Sequence, residues 1–78
     1  MESITIYSSD HCGYCTAAKR LLEQKDMKYS EINVSHDPDK RQEMVEKSRQ
    51  RSVPQIFFGD KHIGGYTDLV AHFKQANT

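Results

Sequence analysis

Two cysteines, Cys12 and Cys15, offer the most obvious chemistry in this chain. They are the only cysteines among its 78 residues, and Gly13 and Tyr14 separate them. A CxxC pair in a small chain is typical of a redox site. The pair follows a short apolar strand and stands where a helix is predicted to begin. Because the free amides at a helix start stabilise an anion and favour the thiolate form of cysteine, we expect Cys12 to lie exposed at or near the N-cap.

Two other roles for the cysteine pair are weaker. A structural disulfide across so short a loop would stabilise the fold by about 2 kcal/mol, against ~3 kcal/mol for a 15-residue loop. A closed zinc site needs four ligands, and the four histidines, at positions 11, 36, 62 and 72, do not show the spacing of zinc ligands. The sequence therefore favours redox chemistry.

The composition excludes several classes of partner. Lysine plus arginine and aspartate plus glutamate balance at 11 each. A neutral chain lacks the charge that attracts nucleic acid or an anionic membrane, and its apolar stretches are too short to span a membrane. The first residues show neither a basic segment nor an apolar one, so no signal peptide is predicted and we expect a cytoplasmic protein. The length predicts one domain over residues 1–78.

Hydrophobic patterning predicts four strands and three helices. Asp37 and Pro38 suit the N-cap and first position of the second helix, and Thr67 or Asp68 is the predicted cap of the last one. A helical connection makes the first two strands parallel, whereas a short turn makes the last two a hairpin. The predicted elements are strand 3–7, helix 13 to about 25, strand 29–34, helix 38 to about 49, strand 55–58, strand 61–63 and a last helix.

Three motifs at their joint spacing resemble those of the glutaredoxin family. They are Cys12-Gly13-Tyr14-Cys15, the Ser52-Val53-Pro54 tripeptide and the glycine-rich turn Gly64-Gly65-Tyr66-Thr67-Asp68. The resemblance covers nearly the whole chain. It implies an α/β protein with a thioredoxin-like fold, in which the order β-α-β-α-β-β-α forms a mixed four-stranded sheet.

The resemblance also implies an activity, a glutathione-dependent disulfide oxidoreductase. Cys12 would be the nucleophile that attacks the sulfur of glutathione in a mixed disulfide, and a second glutathione or Cys15, the resolving thiol, would release it. The implied partners are glutathione, glutathionylated proteins and protein disulfides. The protein would act as a monomer.

The implied glutathione site draws on residues spread along the chain. The Val53 backbone, beside a cis Pro54, would pair with the cysteinyl unit. Thr67 and Asp68 would hold the γ-glutamyl carboxylate and amine, and an arginine would hold the glycine carboxylate. An aromatic ring would line the groove beside the nucleophile. The full set is Tyr14, Arg41, Val53, Pro54, Thr67 and Asp68.

The chain departs from the family pattern at three positions. Ser9 stands where many members carry a lysine, Gly13 replaces the usual proline, and Thr67 replaces a common acid. Gly13 motivates an alternative function, a dimer that carries a [2Fe–2S] cluster held by Cys12 and glutathione. A second alternative is a redoxin that is reduced by thioredoxin reductase.

Overall fold

A computed structural model describes residues 3–76, and its elements follow the predicted order. The strands and helices begin and end within one residue of the numbered ends predicted for them. They are β1 (Ile4–Ser8), α1 (Gly13–Gln24), β2 (Tyr29–Asn33), α2 (Pro38–Ser48), β3 (Gln55–Phe58), β4 (Lys61–Gly64) and α3 (Tyr66–Ala76).

The four strands form one mixed sheet in the order β2-β1-β3-β4. β1 and β2 run parallel, as the helical connection between them requires. β3 and β4 form the predicted antiparallel hairpin. The two halves join where β1 pairs antiparallel with β3, with Ile6 opposite Ile56. The end of β1 thus lies beside the start of β3, with Tyr7 opposite Gln55.

Helices cover both faces of the sheet, and each face has its own apolar cluster. Because side chains alternate along a strand, Ile6 and Ile56 point to one face while Tyr7 and Phe57 point to the other. The cluster that α1 and α3 cover contains Ile4, Ile6, Ala18, Leu22, Ile56, Phe58 and Leu69. The cluster that α2 covers contains Tyr7, Val34, Met44 and Phe57.

The helix starts confirm two predicted caps and correct a third. Cys12 is the N-cap of α1, and Asp37 caps α2 by accepting the Lys40 N–H at 3.1 Å. The last helix already begins at Tyr66, so neither Thr67 nor Asp68 is its cap. The carboxylate of Asp68 instead reaches back to the N–H of Gly65 at 2.9 Å, the arrangement of an acid at the third helical position.

No helix among residues 3–76 is long and apolar enough to cross a membrane.

Candidate functional site

The two cysteines occupy different environments at the start of α1. Cys12 has extended backbone angles and a half-buried side chain, whereas the side chain of Cys15 is 1% exposed. Their sulfurs form a disulfide, with the Cα atoms 5.2 Å apart. The structure therefore holds the pair in its oxidised form, with Cys12 toward the surface and Cys15 toward the core.

A backbone amide is directed at the sulfur of Cys12. Its Sγ accepts a hydrogen bond from the N–H of Cys15 at 3.1 Å, so the side chain occupies the position of a normal N-cap oxygen. The first amides of a helix have no partner within the helix and stabilise negative charge. After reduction, a thiolate at Cys12 would find that stabilisation already in place, and it would be the sulfur that a substrate reaches first.

Tyr14 joins the start of α1 to the start of α3. Its side chain is 66% exposed, and its ring lies 6.0 Å, centroid to centroid, from the ring of Tyr66. The two rings are inclined by 31°. This contact brings the cysteine motif beside the glycine-rich turn. Nothing local in the sequence indicates that Tyr66 is the partner of Tyr14.

The tripeptide that contains Val53 and Pro54 lies against the same turn. The bond between them is cis, as the resemblance implied. Pro54 is buried and Val53 is half-buried. A Cβ placed on Gly65 would lie 3.6 Å from the carbonyl oxygen of Pro54, an ordinary van der Waals distance, so the two segments are close neighbours.

Thr67 and Asp68 are both exposed in the first turn of α3. The Asp68 carboxylate is held by the Gly65 N–H, which keeps it over the turn instead of free in solvent. A negative charge at this end of a helix is favourable because the helix dipole is positive there. The structure thus places an anchored carboxylate near the Pro54 carbonyl, since a Cβ built on Gly65 would lie within 4 Å of an oxygen of each.

Arg41 lies on the exposed side of α2. Its Nη1 donates to the carbonyl oxygen of Arg51 at 3.3 Å, two residues before Val53. The guanidinium therefore lies beside the loop that carries Val53, with part of its fork unused by this bond. Of the predicted glutathione residues, Arg41 is the one supplied by α2.

A polar cleft of about 460 Å³ also opens at the cysteines. The cleft contains an ion pair that the sequence did not predict, in which Lys19 lies 2.9 Å from Glu31. Ser8 donates to the same carboxylate oxygen at 2.6 Å. The Ser8 hydrogen bond, followed by the one from Lys19, lowers the pKa of Glu31. The lining residues are Ser9, Asp10, His11, Cys12, Gly13, Cys15, Thr16, Lys19, Glu31 and Asn33.

The position of Lys19 in this cleft could have been read from the sequence. It follows Cys15 by four residues, so both share a helical face. Its partner Glu31 comes from β2, and nothing local to either residue indicates that pairing. Among residues 3–76, no three His, Cys, Asp or Glu side chains gather in a way that could hold a metal ion.

Comparison with known proteins identifies the family. A family model described as Glutaredoxin matches residues 4–63. The chain belongs to the glutaredoxin family. It is 49% identical over 70 residues to a glutaredoxin of Neisseria meningitidis, which covers 88% of this chain and 82% of that protein. It is 41% identical over 71 residues to glutaredoxin 3 of Escherichia coli, covering 91% of this chain and 86% of that protein.

A solved structure of a buckwheat glutaredoxin–glutathione complex is similar to the chain. The TM-score is 0.85 at 28% sequence identity, over 96% of this chain and 71% of that one. The similarity confirms the thioredoxin-like fold of this glutaredoxin. Together with the Cys12–Cys15 disulfide, family membership supports thiol–disulfide oxidoreductase chemistry.

Proposed function

We propose that this glutaredoxin is a glutathione-dependent oxidoreductase that reduces glutathione mixed disulfides and protein disulfides. The observation that carries the proposal is the half-buried Cys12 sulfur at the N-terminus of α1, with the Cys15 N–H directed at it and Cys15 itself buried. That arrangement favours Cys12 as the sulfur that attacks the substrate and Cys15 as the sulfur that reacts in a later step.

With a glutathionylated substrate, the reaction needs Cys12 alone. The Cys12 thiolate attacks the glutathione sulfur, the substrate's sulfur–sulfur bond breaks, and the substrate leaves as a thiolate that takes up a proton. A second glutathione thiolate then attacks the glutathione sulfur bound to Cys12. This step releases glutathione disulfide and restores the Cys12 thiolate, so glutathione is oxidised to its disulfide as the substrate is reduced.

With a protein disulfide, the reaction also needs Cys15. Cys12 attacks one substrate sulfur and forms a mixed disulfide with the protein. Cys15 then loses its proton and attacks the sulfur of Cys12, which releases the second substrate thiol and leaves the Cys12–Cys15 disulfide. Two molecules of glutathione reduce that disulfide in turn. The Cα separation of 5.2 Å is within the ordinary range for a disulfide, which supports this step.

We assign glutathione recognition to groups from α2, from the loop that carries Val53 and from the first turn of α3. Its two carboxylates and one amine suit the anchored Asp68 carboxylate, the amides around Thr67 at the start of α3 and the Arg41 guanidinium. Val53 supplies a backbone N–H and C=O for the cysteinyl unit, as an added strand would. Tyr14 forms a wall. The glutathione complex of the buckwheat relative supports the assignment. The monomeric state and cytoplasmic location stay predictions.

Turnover of a glutathionylated peptide tests the proposal. The experiment compares the turnover of three proteins, wild type, Cys12→Ser and Cys15→Ser, each with glutathione as the reductant. We expect Cys12→Ser to lose turnover, and Cys15→Ser to keep it on the glutathionylated peptide but lose it on a protein disulfide. The matched control is the same peptide linked to cysteine, which lacks the γ-glutamyl and glycine units. Because each lost charged contact costs about 1.5–3 kcal/mol, the control should react at least about tenfold more slowly.

Two other outcomes would contradict the proposal. Equal rates for the glutathionylated peptide and the cysteine-linked peptide would show that the protein does not recognise the γ-glutamyl and glycine units of glutathione. Turnover supported by thioredoxin reductase without glutathione would favour the reductase-coupled alternative. The cluster-carrier alternative is tested separately by colour: visible charge-transfer bands after anaerobic reconstitution with iron and sulfide would support it.

A further inference from the structure

We infer that Gln55 and His62 position the loop of residues 50–53 for the substrate, as a hydrogen-bonded link between the hairpin and the glutathione groove. Neither residue lies in the predicted site. The inference rests on the proposed function, because it assigns to these residues the placement of the Val53 backbone that glutathione would contact.

The Gln55 side chain is buried beside the loop. It is 1% exposed at the start of β3 and points to the face that α2 covers. Its Nε2 lies 3.0 Å from the carbonyl oxygen of Ser52, 3.1 Å from Oε1 of Gln50 and 3.4 Å from the Ser52 hydroxyl. One amide group therefore fastens both ends of the short segment that leads into Val53.

The carbonyl of Ser52 determines which way the Gln55 amide points. A backbone carbonyl only accepts hydrogen bonds, so the NH₂ group must face it and Oε1 must face away. Oε1 lies 2.7 Å from Nε2 of His62 on β4. His62 must then donate, which assigns the proton to Nε2. The His62 ring also contacts the ring of Phe57, with the centroids 4.9 Å apart and the planes inclined by 35°.

The loop is held from the α2 side as well. The Gln50 N–H donates to the hydroxyl of Ser48 at 3.1 Å, and Arg41 binds the carbonyl of Arg51. With these bonds in place, removing the Gln55 amide would release the Ser52 end of the loop in particular. The expected defect is therefore in the reaction with glutathione-bearing substrates and not in the reactivity of Cys12.

The test uses full-length Cys15→Ser protein, in which single-turnover attack on a glutathionylated peptide reports Cys12 alone. Gln55→Met keeps the length of the side chain and removes its hydrogen bonds. We expect its rate constant with the glutathionylated peptide to fall about tenfold, because a tenfold change corresponds to the loss of one to two net hydrogen bonds. Its rate with iodoacetamide should match that of the Cys15→Ser parent. So should its rate with the same peptide linked to 2-mercaptoethanol, which offers the Val53 backbone no amide groups to pair with.

His62 supplies an independent and milder perturbation. His62→Phe keeps an aromatic ring on Phe57 but leaves Oε1 of Gln55 without its donor, and it should slow the same reaction. His62→Gln restores an N–H donor and should recover most of the rate. Because both residues act through one link, the Gln55→Met, His62→Phe double variant should be no slower than Gln55→Met.

Other results would overturn the inference. One is a Gln55→Met protein whose preference for the glutathionylated peptide over the mercaptoethanol-linked one equals that of the parent. Another is an equal slowing of both peptides and of iodoacetamide, which would indicate a general structural role. A parent protein without any preference would instead overturn the proposed function, and this inference with it.

Discussion

Gly64 leaves no room for a side chain beside the carboxylate of Asp68. Its φ of 120° lies in the region that favours glycine, and a Cβ built there would overlap Oδ2 of Asp68 and come within 2.8 Å of its Cγ. The same Oδ2 accepts the Gly65 N–H. The position of the Asp68 carboxylate therefore depends on the bare backbone at Gly64.

Replacing Gly64 should damage both stability and substrate recognition. We expect Gly64→Ala to lower the free energy of unfolding by about 1–3 kcal/mol, because it combines an unfavourable φ with a steric overlap. The rate with a glutathionylated peptide should fall with it, since Asp68 must move. Urea denaturation and single-turnover kinetics measure the two effects.

Gly13→Ala is the matched control for this substitution. A Cβ at Gly13 would meet no heavy atom within 4 Å, and the residue is the first of α1. This variant should keep the free energy of unfolding of wild type or exceed it by a few tenths of a kcal/mol to about 1 kcal/mol. Equal destabilisation by the two substitutions would show that the overlap with Asp68 is not what matters.

Alkylation should distinguish the two cysteines after reduction. Because Cys12 is half-buried at the surface and Cys15 is 1% exposed, iodoacetamide should modify Cys12 first in the folded, reduced protein. Mass spectrometry of peptides after a short reaction gives the order. The Cys15→Ser variant should be alkylated as fast as wild type, and the Cys12→Ser variant much more slowly. In urea, the alkylation rates of the two variants should become equal. Earlier modification of Cys15 would contradict the assignment of the nucleophile.

The ion pair between Lys19 and Glu31 should make stability depend on pH in the acid range. The hydrogen bonds from Ser8 and Lys19 lower the pKa of Glu31 in the folded state from its model-compound value of 4.5. A lowered folded pKa means that the stabilisation is present above the unfolded pKa and is lost as the pH falls through the folded one. Since both side chains are about one-third exposed, we expect the ion pair to contribute about 0.5–1 kcal/mol to the free energy of unfolding at neutral pH.

Urea denaturation of wild type and Glu31→Gln at neutral and acid pH checks this dependence. The variant should be less stable at neutral pH, and the difference should vanish once the carboxyl of Glu31 is protonated in both states. Glu46→Gln, at an exposed position of α2, removes a carboxylate elsewhere and serves as the control. A difference that stays constant across the pH range would rule out titration of Glu31 as the cause.

Local signals explain which parts of the fold were predictable. The caps at Cys12 and Asp37 depend on residues within three positions, so the sequence alone identifies them. The start of α3 was misplaced because Asp68 suits an N-cap but acts from inside the helix, through its bond to Gly65. A carboxylate near a helix start does not by itself distinguish these two positions.

Non-local pairing explains what the sequence did not predict. Gln55 and His62 meet because the turn after β3 returns the chain, and Lys19 meets Glu31 across the α1–β2 connection. A glutamine among the apolar residues of a buried strand does indicate that some partner satisfies it. It does not say which one. The placement of β3 beside β1 likewise depends on residues some fifty positions apart.

The antiparallel pairing of β1 with β3 has a consequence for how this protein can diversify. The sulfur chemistry is carried by the β1–α1 half, whereas Val53 and the glycine-rich turn belong to the hairpin half, and among residues 3–76 only this pairing joins the strands of the two halves. Exchanging residues 50–68 between relatives, with the residues that face β1 retained, should therefore change the part of the proposed glutathione site that Val53 and Asp68 supply, while the cysteine pair, Tyr14 and Arg41 stay in place.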